Sequence, residues 1–141
     1  MFQHVVVAYD GSHPSLAAFD CGLEIAARFQ ADLRVVSVVR LPEPAGRVEI
    51  QALVEEGQKH FEDEFAQLAA RAAERGVALR TEVLEGHPAE QIIRAAEREP
   101  TDLVVMGRRG ISTVQRWLLG SISERVARDA RCAVLIVHGM S

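Results

Sequence analysis

Short apolar segments alternate along this chain with longer segments whose apolar residues recur at helical spacing. The apolar segments predict strands over residues 4–9, 33–39, 77–84, 102–106 and 133–137. The helical spacing predicts helices over residues 14–30, 48–75, 88–98 and 121–130. Strands that alternate with helices form a mainly parallel sheet with helices on both faces. The predicted fold class is therefore α/β, with an open parallel sheet of five strands.

Several element boundaries carry residues that favour them. Pro14 suits a first helical position, with Ser12 or His13 as the N-cap. Gly76 follows the long second helix, where a left-handed residue often ends a helix. The third predicted strand alternates apolar and polar residues, which indicates one exposed face or a place near the sheet edge. No linker or repeat divides the chain, and we expect residues 1–141 to form one domain.

The carboxyl ends of three predicted strands should lie at the same edge of the sheet. Ligands of such folds bind outside those ends, where the order of the strands reverses. Asp10 follows the first strand, Val38 lies near the end of the second, and Gly107 follows the fourth. We expect these three residues to converge on one crevice.

The clearest candidate site is a glycine pattern, G-x2-G-x9-G-S, formed by Gly107, Gly110, Gly120 and Ser121. Glycines let a backbone approach a ligand where a Cβ would block it. The start of the last helix offers N–H groups and a positive dipole end to an anion. The pattern predicts a phosphate-binding loop and hence a nucleotide-binding domain. A purely structural use of these glycines is the alternative.

Charged and hydroxyl side chains near this pattern extend the prediction. Guanidinium groups suit phosphate oxygens, and Arg109 is assigned to the ligand rather than Arg108 because it directly precedes Gly110. Arg116 is a further candidate, and solvated surface charge is the alternative for all three arginines. Ser121 and Ser123 would add hydroxyl donors at the helix start, or simply cap it.

Asp10 needs a specific role because a carboxylate repels a nearby phosphate chain. It must contact the nucleoside end of the ligand, or reach the phosphates through Mg²⁺. A turn residue at the helix start is the alternative.

Composition narrows the class of protein. The 141 residues carry a net charge of −4, which argues against nucleic acid as the main partner. Neither a signal peptide nor an apolar run of about 20 residues is present, so we expect no membrane partner. Cys21 and Cys132 lack C-x-x-C spacing and read as small core residues, which fits a reducing cytoplasm. The dinucleotide, Walker and nucleophile-elbow glycine signatures are all absent.

Five segments together resemble the universal stress protein family, of the UspA type with a single ATP-binding domain. They are VVAYDGS at 6–12, GHPA at 86–89, DLVVMGRRG at 102–110, LGSISERV at 119–126 and CAVLIV at 132–137. The resemblance covers nearly the whole chain. It departs at Ala133, where many members have proline, and at Ala8, where some do.

The resemblance implies a Rossmann-like sheet of strand order 3-2-1-4-5 and a homodimer that pairs through its last strand, Ala133–Val137. It places adenine near Asp10 and Val38, and ribose near Ala8 and Gly107. It places the phosphates near Met106, Arg109, Gly110, Gly120, Ser121, Ile122 and Ser123.

The function that the resemblance implies is that of a cytoplasmic regulatory protein in stress responses. Its cofactors would be ATP and Mg²⁺ held through the phosphates, and a further protein would be its partner. A slow ATP hydrolase is one alternative, although no residue is evident as a base to orient water. A nucleotide-independent interaction module is the other.

Overall fold

The computed structural model describes residues 1–41, 46–108 and 120–138. Within them, five strands and four helices alternate, which confirms the predicted α/β class. The elements are β1 (His4–Ala8), α1 (His13–Phe29), β2 (Asp32–Arg40), α2 (Arg47–Glu74), β3 (Leu79–Gly86), α3 (Pro88–Arg98), β4 (Leu103–Gly107), α4 (Ser121–Asp129) and β5 (Ala133–Val137).

The five strands form one parallel sheet in the order β3-β2-β1-β4-β5. This is the order implied by the family resemblance, and it confirms that the third strand lies at an edge. The chain runs outward from β1 through β2 to β3, then crosses back to β4 on the other side of β1. The strand order therefore reverses between β1 and β4.

Alternate residues of each strand face two separate apolar layers. Val5 and Val7 face the layer that includes Phe19 of α1 and Phe65 of α2. The opposite layer holds Val6, Ala8, Val36, Val104 and Met106 against Ile92 of α3 and Val126 of α4. None of the helices in the described ranges has the length and apolarity needed to cross a membrane.

Most predicted boundaries lie within two residues of those observed. Ser12 is the N-cap of α1, and its hydroxyl accepts from the Ser15 N–H at 3.3 Å. Gly76 has φ +67° after α2, as expected of a left-handed helix end. β3 begins and ends two residues later than predicted because it pairs with β2 as far as Arg40↔Gly86. Residues 42–45 of the predicted loop lie outside the described ranges.

β2 continues beyond its neighbour β1. The last β1 residue, Ala8, is in register with Val36, and β2 extends four residues further to Arg40. At about 3.3 Å per residue, this forms a wall about 13 Å high above the end of β1.

A buried arginine fixes α3 against the sheet. Arg34 of β2 is only 4% exposed. Its guanidinium donates to the Ala95 carbonyl at 2.8 Å and to a Glu99 carboxylate oxygen at 3.0 Å. The arginine therefore satisfies a carbonyl in the last turn of α3, a part of the helix that lacks backbone donors.

Candidate functional site

A cavity of about 460 Å³ lies beside the carboxyl ends of β1 and β4, where the strand order reverses. Its volume falls in the range of about 300–1,000 Å³ that is usual for small-molecule sites. Its position is the one that open α/β sheets use for ligands.

The cavity brings together nine of the eleven residues that the sequence proposed for a nucleotide site. They are Ala8, Asp10, Val38, Met106, Gly107, Gly120, Ser121, Ile122 and Ser123. The other two, Arg109 and Gly110, lie outside the described ranges. The expected convergence of Asp10, Val38 and Gly107 on one crevice is therefore observed, while the ligand role of each residue stays a prediction.

The floor of the cavity is apolar. Ala8, Val36 and Met106 come from three adjacent strands and are between 1% and 8% exposed. Ile92 of α3 and Val38 also line it. Such a surface favours a flat apolar group, such as an aromatic ring, laid across the strand ends.

The first turn of α4 forms another part of the wall. Gly120 is the N-cap, with φ −67° and ψ 157°, and it has no side chain to bond the first amides of the helix. The N–H groups of Ser121, Ile122 and Ser123 lie in the turn where a helix supplies no carbonyl partner. This end of the helix also carries its positive dipole. The wall is therefore suited to an anion.

The Ser123 hydroxyl has a structural role. It lies 2.7 Å from the Arg108 carbonyl and 3.2 Å from that of Gly120, and Ser123 is 2% exposed. The Gly120 N–H also donates to the Arg108 carbonyl, at 3.1 Å. A hydroxyl has one hydrogen to donate, and here it serves the protein backbone, while a hydrogen bond from this hydroxyl to a ligand stays a prediction. The hydroxyl ties α4 to the end of β4, and neither Ser121 nor Ser123 is the N-cap.

Packing against α1 favours glycine at position 107. A Cβ there would lie 2.6 Å from Pro14 Cβ and 2.7 Å from the Pro14 carbonyl carbon. The lack of a side chain lets β4 end against the first turn of α1. The backbone of Gly107 also lines the cavity, and the close approach of a ligand to it stays a prediction.

Asp10 serves the turn between β1 and α1. Its Oδ1 accepts from the Ser12 N–H at 2.9 Å and from the Ser12 hydroxyl at 2.5 Å. This is the turn role that the sequence left as an alternative. The carboxylate is exposed and also lines the cavity, so the turn role leaves a ligand contact open.

Two arginines of the described ranges line the cavity. Arg108 does so, and its backbone N–H donates to the Val137 carbonyl at 2.9 Å. The preference for Arg109 over Arg108 stays a prediction, because Arg109 is outside the described ranges. Arg40 was not assigned from the sequence. Its place two residues beyond Val38 on the same face of β2 was the signal that would have found it.

Other lining residues were also not assigned to the site from the sequence. They are Tyr9, Ser12, Ser15, Val36, Phe61, Pro88 and Ile92. Phe61 comes from α2, about fifty residues after β1, and no local pattern ties it to the strand ends.

Tyr9 lines the cavity and has a shifted pKa. Burial, followed by a hydrogen bond to Glu64, raises the pKa of its phenol well above the usual value. The phenol donates to Glu64 Oε1 at 2.6 Å. Its oxygen is therefore neutral and directed toward α2.

Comparison with known proteins gives a consistent result. A model described as the universal stress protein family matches residues 1–138. A universal stress protein of Methanocaldococcus jannaschii is 38% identical over 144 residues, which cover 97% of this chain and 82% of that one. The solved structure of UspA from Lactobacillus plantarum has a TM-score of 0.87 and 28% identity, covering 96% of this chain and 97% of that one. A universal stress protein in complex with cAMP has a TM-score of 0.77 and 31% identity, covering 99% of each chain.

Proposed function

We propose, from the premise that this chain belongs to the universal stress protein family, that it binds an adenine nucleotide in the cavity beside β1 and β4. The observation that carries the proposal is an apolar crevice that ends at a glycine-capped helix N-terminus. An apolar floor suits a base, and the first amides of a helix suit a phosphate. The related protein solved in complex with cAMP supports an adenine nucleotide as the class of ligand.

In the proposed complex, adenine lies toward Asp10 and Val38, and the ribose lies toward Ala8 and Gly107. The phosphates meet the amides of α4 at residues 121–123, with Arg109 and Gly110 of the glycine pattern beside them. ATP is the proposed nucleotide, and Mg²⁺ would be held through its phosphates, since Mg²⁺ usually binds with substrate phosphates and water.

The proposed role is regulatory, in the stress response and in the cytoplasm. A nucleotide alters such a protein only by binding one of its states more tightly than another. We propose that the acting form is a homodimer paired through β5. Among the described strands this one lies at the sheet edge, and an edge strand offers backbone groups for pairing with another chain. A further protein would recognise the nucleotide-bound state.

Calorimetric titration with ATP, ADP, AMP and cAMP, each with and without Mg²⁺, tests the proposal. The informative variant is Gly120→Asp, because aspartate is a favoured N-cap residue and keeps the helix stable. Its carboxylate would occupy the helix start and repel the phosphate, so we expect affinity for ATP to fall about 100-fold.

Gly46→Asp is the matched control. Gly46 is the N-cap of α2, with φ −75° and ψ 159°, and it does not line the cavity. We expect this variant to bind ATP as the wild type does. A folded wild-type protein that takes up no heat from any of the four nucleotides at millimolar concentration would contradict the proposed function.

A further inference from the structure

Tyr9 is held at three points beside the cavity. Its N–H donates to the Val36 carbonyl at 2.9 Å, and its carbonyl accepts from the Ser37 hydroxyl at 2.5 Å. Its phenol donates to Glu64 Oε1 at 2.6 Å. β2 thus fixes the backbone of Tyr9, and α2 fixes its side chain.

Glu64 also lies close to the turn on the other side of Asp10. A Cβ built on Gly11 would be in van der Waals contact with Glu64 Oε2, at 3.4 Å, so the carboxylate lies about one atom's width from the Gly11 backbone. Gly11 has φ +88°, a conformation that strongly favours glycine. The carboxylate therefore contacts the β1–α1 turn (residues 9–12) at Tyr9 and lies near it at Gly11.

The Glu64 carboxylate is itself oriented by its own helix. Its Oε2 lies 2.6 Å from His60 Nε2, one turn earlier in α2, and its side chain is only 27% exposed. Phe61, on the same turn of the helix, is 9% exposed and lines the cavity. One turn of α2 therefore supplies a wall residue and the support for the adjacent turn.

We propose that Glu64 is a positioning residue of the nucleotide site, which acts by holding the β1–α1 turn so that Asp10 and Ser12 face the cavity. Asp10 and Ser12 both line the cavity, and they lie one and three residues after Tyr9, which Glu64 holds through its phenol. Glu64 does not itself line the cavity, so its effect on a ligand is indirect. This inference rests on the proposed function.

The contact between Tyr9 and Glu64 also affects the pKa of the phenol. After burial, the hydrogen bond and the charge of Glu64 are the next causes that raise the pKa of the phenol, followed by the charge of Asp10. The charge of Arg71 acts in the opposite direction. Since Tyr9 is the only tyrosine of the chain, phenolate absorbance reports the ionisation of this one side chain.

The test compares three substitutions and one control substitution by calorimetric titration with ATP and Mg²⁺. Tyr9→Phe removes only the hydroxyl, and Glu64→Ala removes the carboxylate; each should weaken ATP binding about tenfold. Glu64→Gln keeps the volume and an acceptor oxygen, so it should restore part of that loss. Glu62→Gln, on an exposed residue of the same helix, should leave affinity unchanged.

A double variant separates this contact from general loosening of the fold. Tyr9→Phe with Glu64→Ala should weaken binding no more than either change alone, because both remove the same contact. A merely structural role would lower the melting temperature and leave ATP affinity unchanged in variants that are folded at the temperature of titration.

The outcomes are distinct for the two proposals. If the wild type binds ATP tightly and both Tyr9→Phe and Glu64→Gln bind it with the same affinity as the wild type, the role of Glu64 is overturned and the proposed function stands. Absence of binding by the folded wild type would overturn both. If Glu64→Ala does not fold, Tyr9→Phe and Glu64→Gln still decide the matter.

Discussion

Tyr9 shows how a single residue can make stability depend on alkaline pH. Its pKa is raised in the folded protein, above the usual value of about 10, by burial and by the Glu64 hydrogen bond. The folded state therefore favours the neutral phenol. The resulting stability is fully present below about pH 10 and is lost as pH rises toward the higher pKa of the folded state.

We therefore predict that the wild type loses stability between pH 9 and 11 faster than Tyr9→Phe, which has no phenol to ionise. Urea unfolding at several pH values, followed by circular dichroism, gives both free energies of unfolding. The difference between the free energies of unfolding of the two proteins should be constant below pH 9 and become smaller above pH 10. A difference that does not change across this range would show that the phenol is not the group responsible.

At the scale of elements, the end of β4 and the first turn of α1 meet at one point. Gly107 faces the Pro14 backbone there, and backbone atoms cannot move aside as a flexible side chain does. We predict that Gly107→Ser lowers the free energy of unfolding by about 1–3 kcal/mol through overpacking. Urea unfolding measures this directly.

Gly46→Ser is the matched change for that measurement. Gly46 is an N-cap, where serine is favoured, and the nearest atom to a Cβ there is Glu49 Cδ at 3.9 Å. Its stability should equal or slightly exceed that of the wild type. Equal stability of the wild type and Gly107→Ser would mean that α1 and β4 separate at little cost.

Elements were the part of the structure most open to prediction. Apolar runs and helical spacing identified every strand and helix of the described ranges. The parallel sheet then brought the strand ends together, so nine proposed residues share one cavity. Contacts between distant elements were not predictable. Nothing local to Phe61 or Glu64 indicates that α2 reaches the β1–α1 turn, and the Pro14 contact of Gly107 depends on how α1 packs.

At the scale of the whole molecule, the sheet ends in an apolar strand. β5 carries five apolar residues, of which Ala133 is exposed and the other four are partly exposed, and within the described residues it pairs only with β4. The homodimer proposed above would cover this edge with a second copy of β5. We predict that Val134→Lys gives a monomer, since a lysine on an edge strand discourages further pairing. Light scattering after size-exclusion chromatography reports the mass.

Val48→Lys is the control for the added charge. Val48 is 81% exposed on α2. This helix packs against β2 and β3, which lie toward the opposite edge of the sheet from β5. Light scattering should give this variant a mass of two chains, as expected of the dimer. A wild type that elutes with the mass of one chain would contradict the proposed dimer without bearing on nucleotide binding.

The contact between Gly107 and Pro14 bears on how related sequences are sorted into those that bind nucleotides and those that do not. A glycine demanded by helix packing should persist in relatives whose cavity has lost its ligand, because their α1 still has to dock. The position of Gly120, which leaves a helix start without a competing side chain, should vary with ligand use instead. A survey that gives both positions equal weight would count too many relatives as nucleotide-binding. A survey that scores only the position of Gly120 would separate binding from non-binding relatives better.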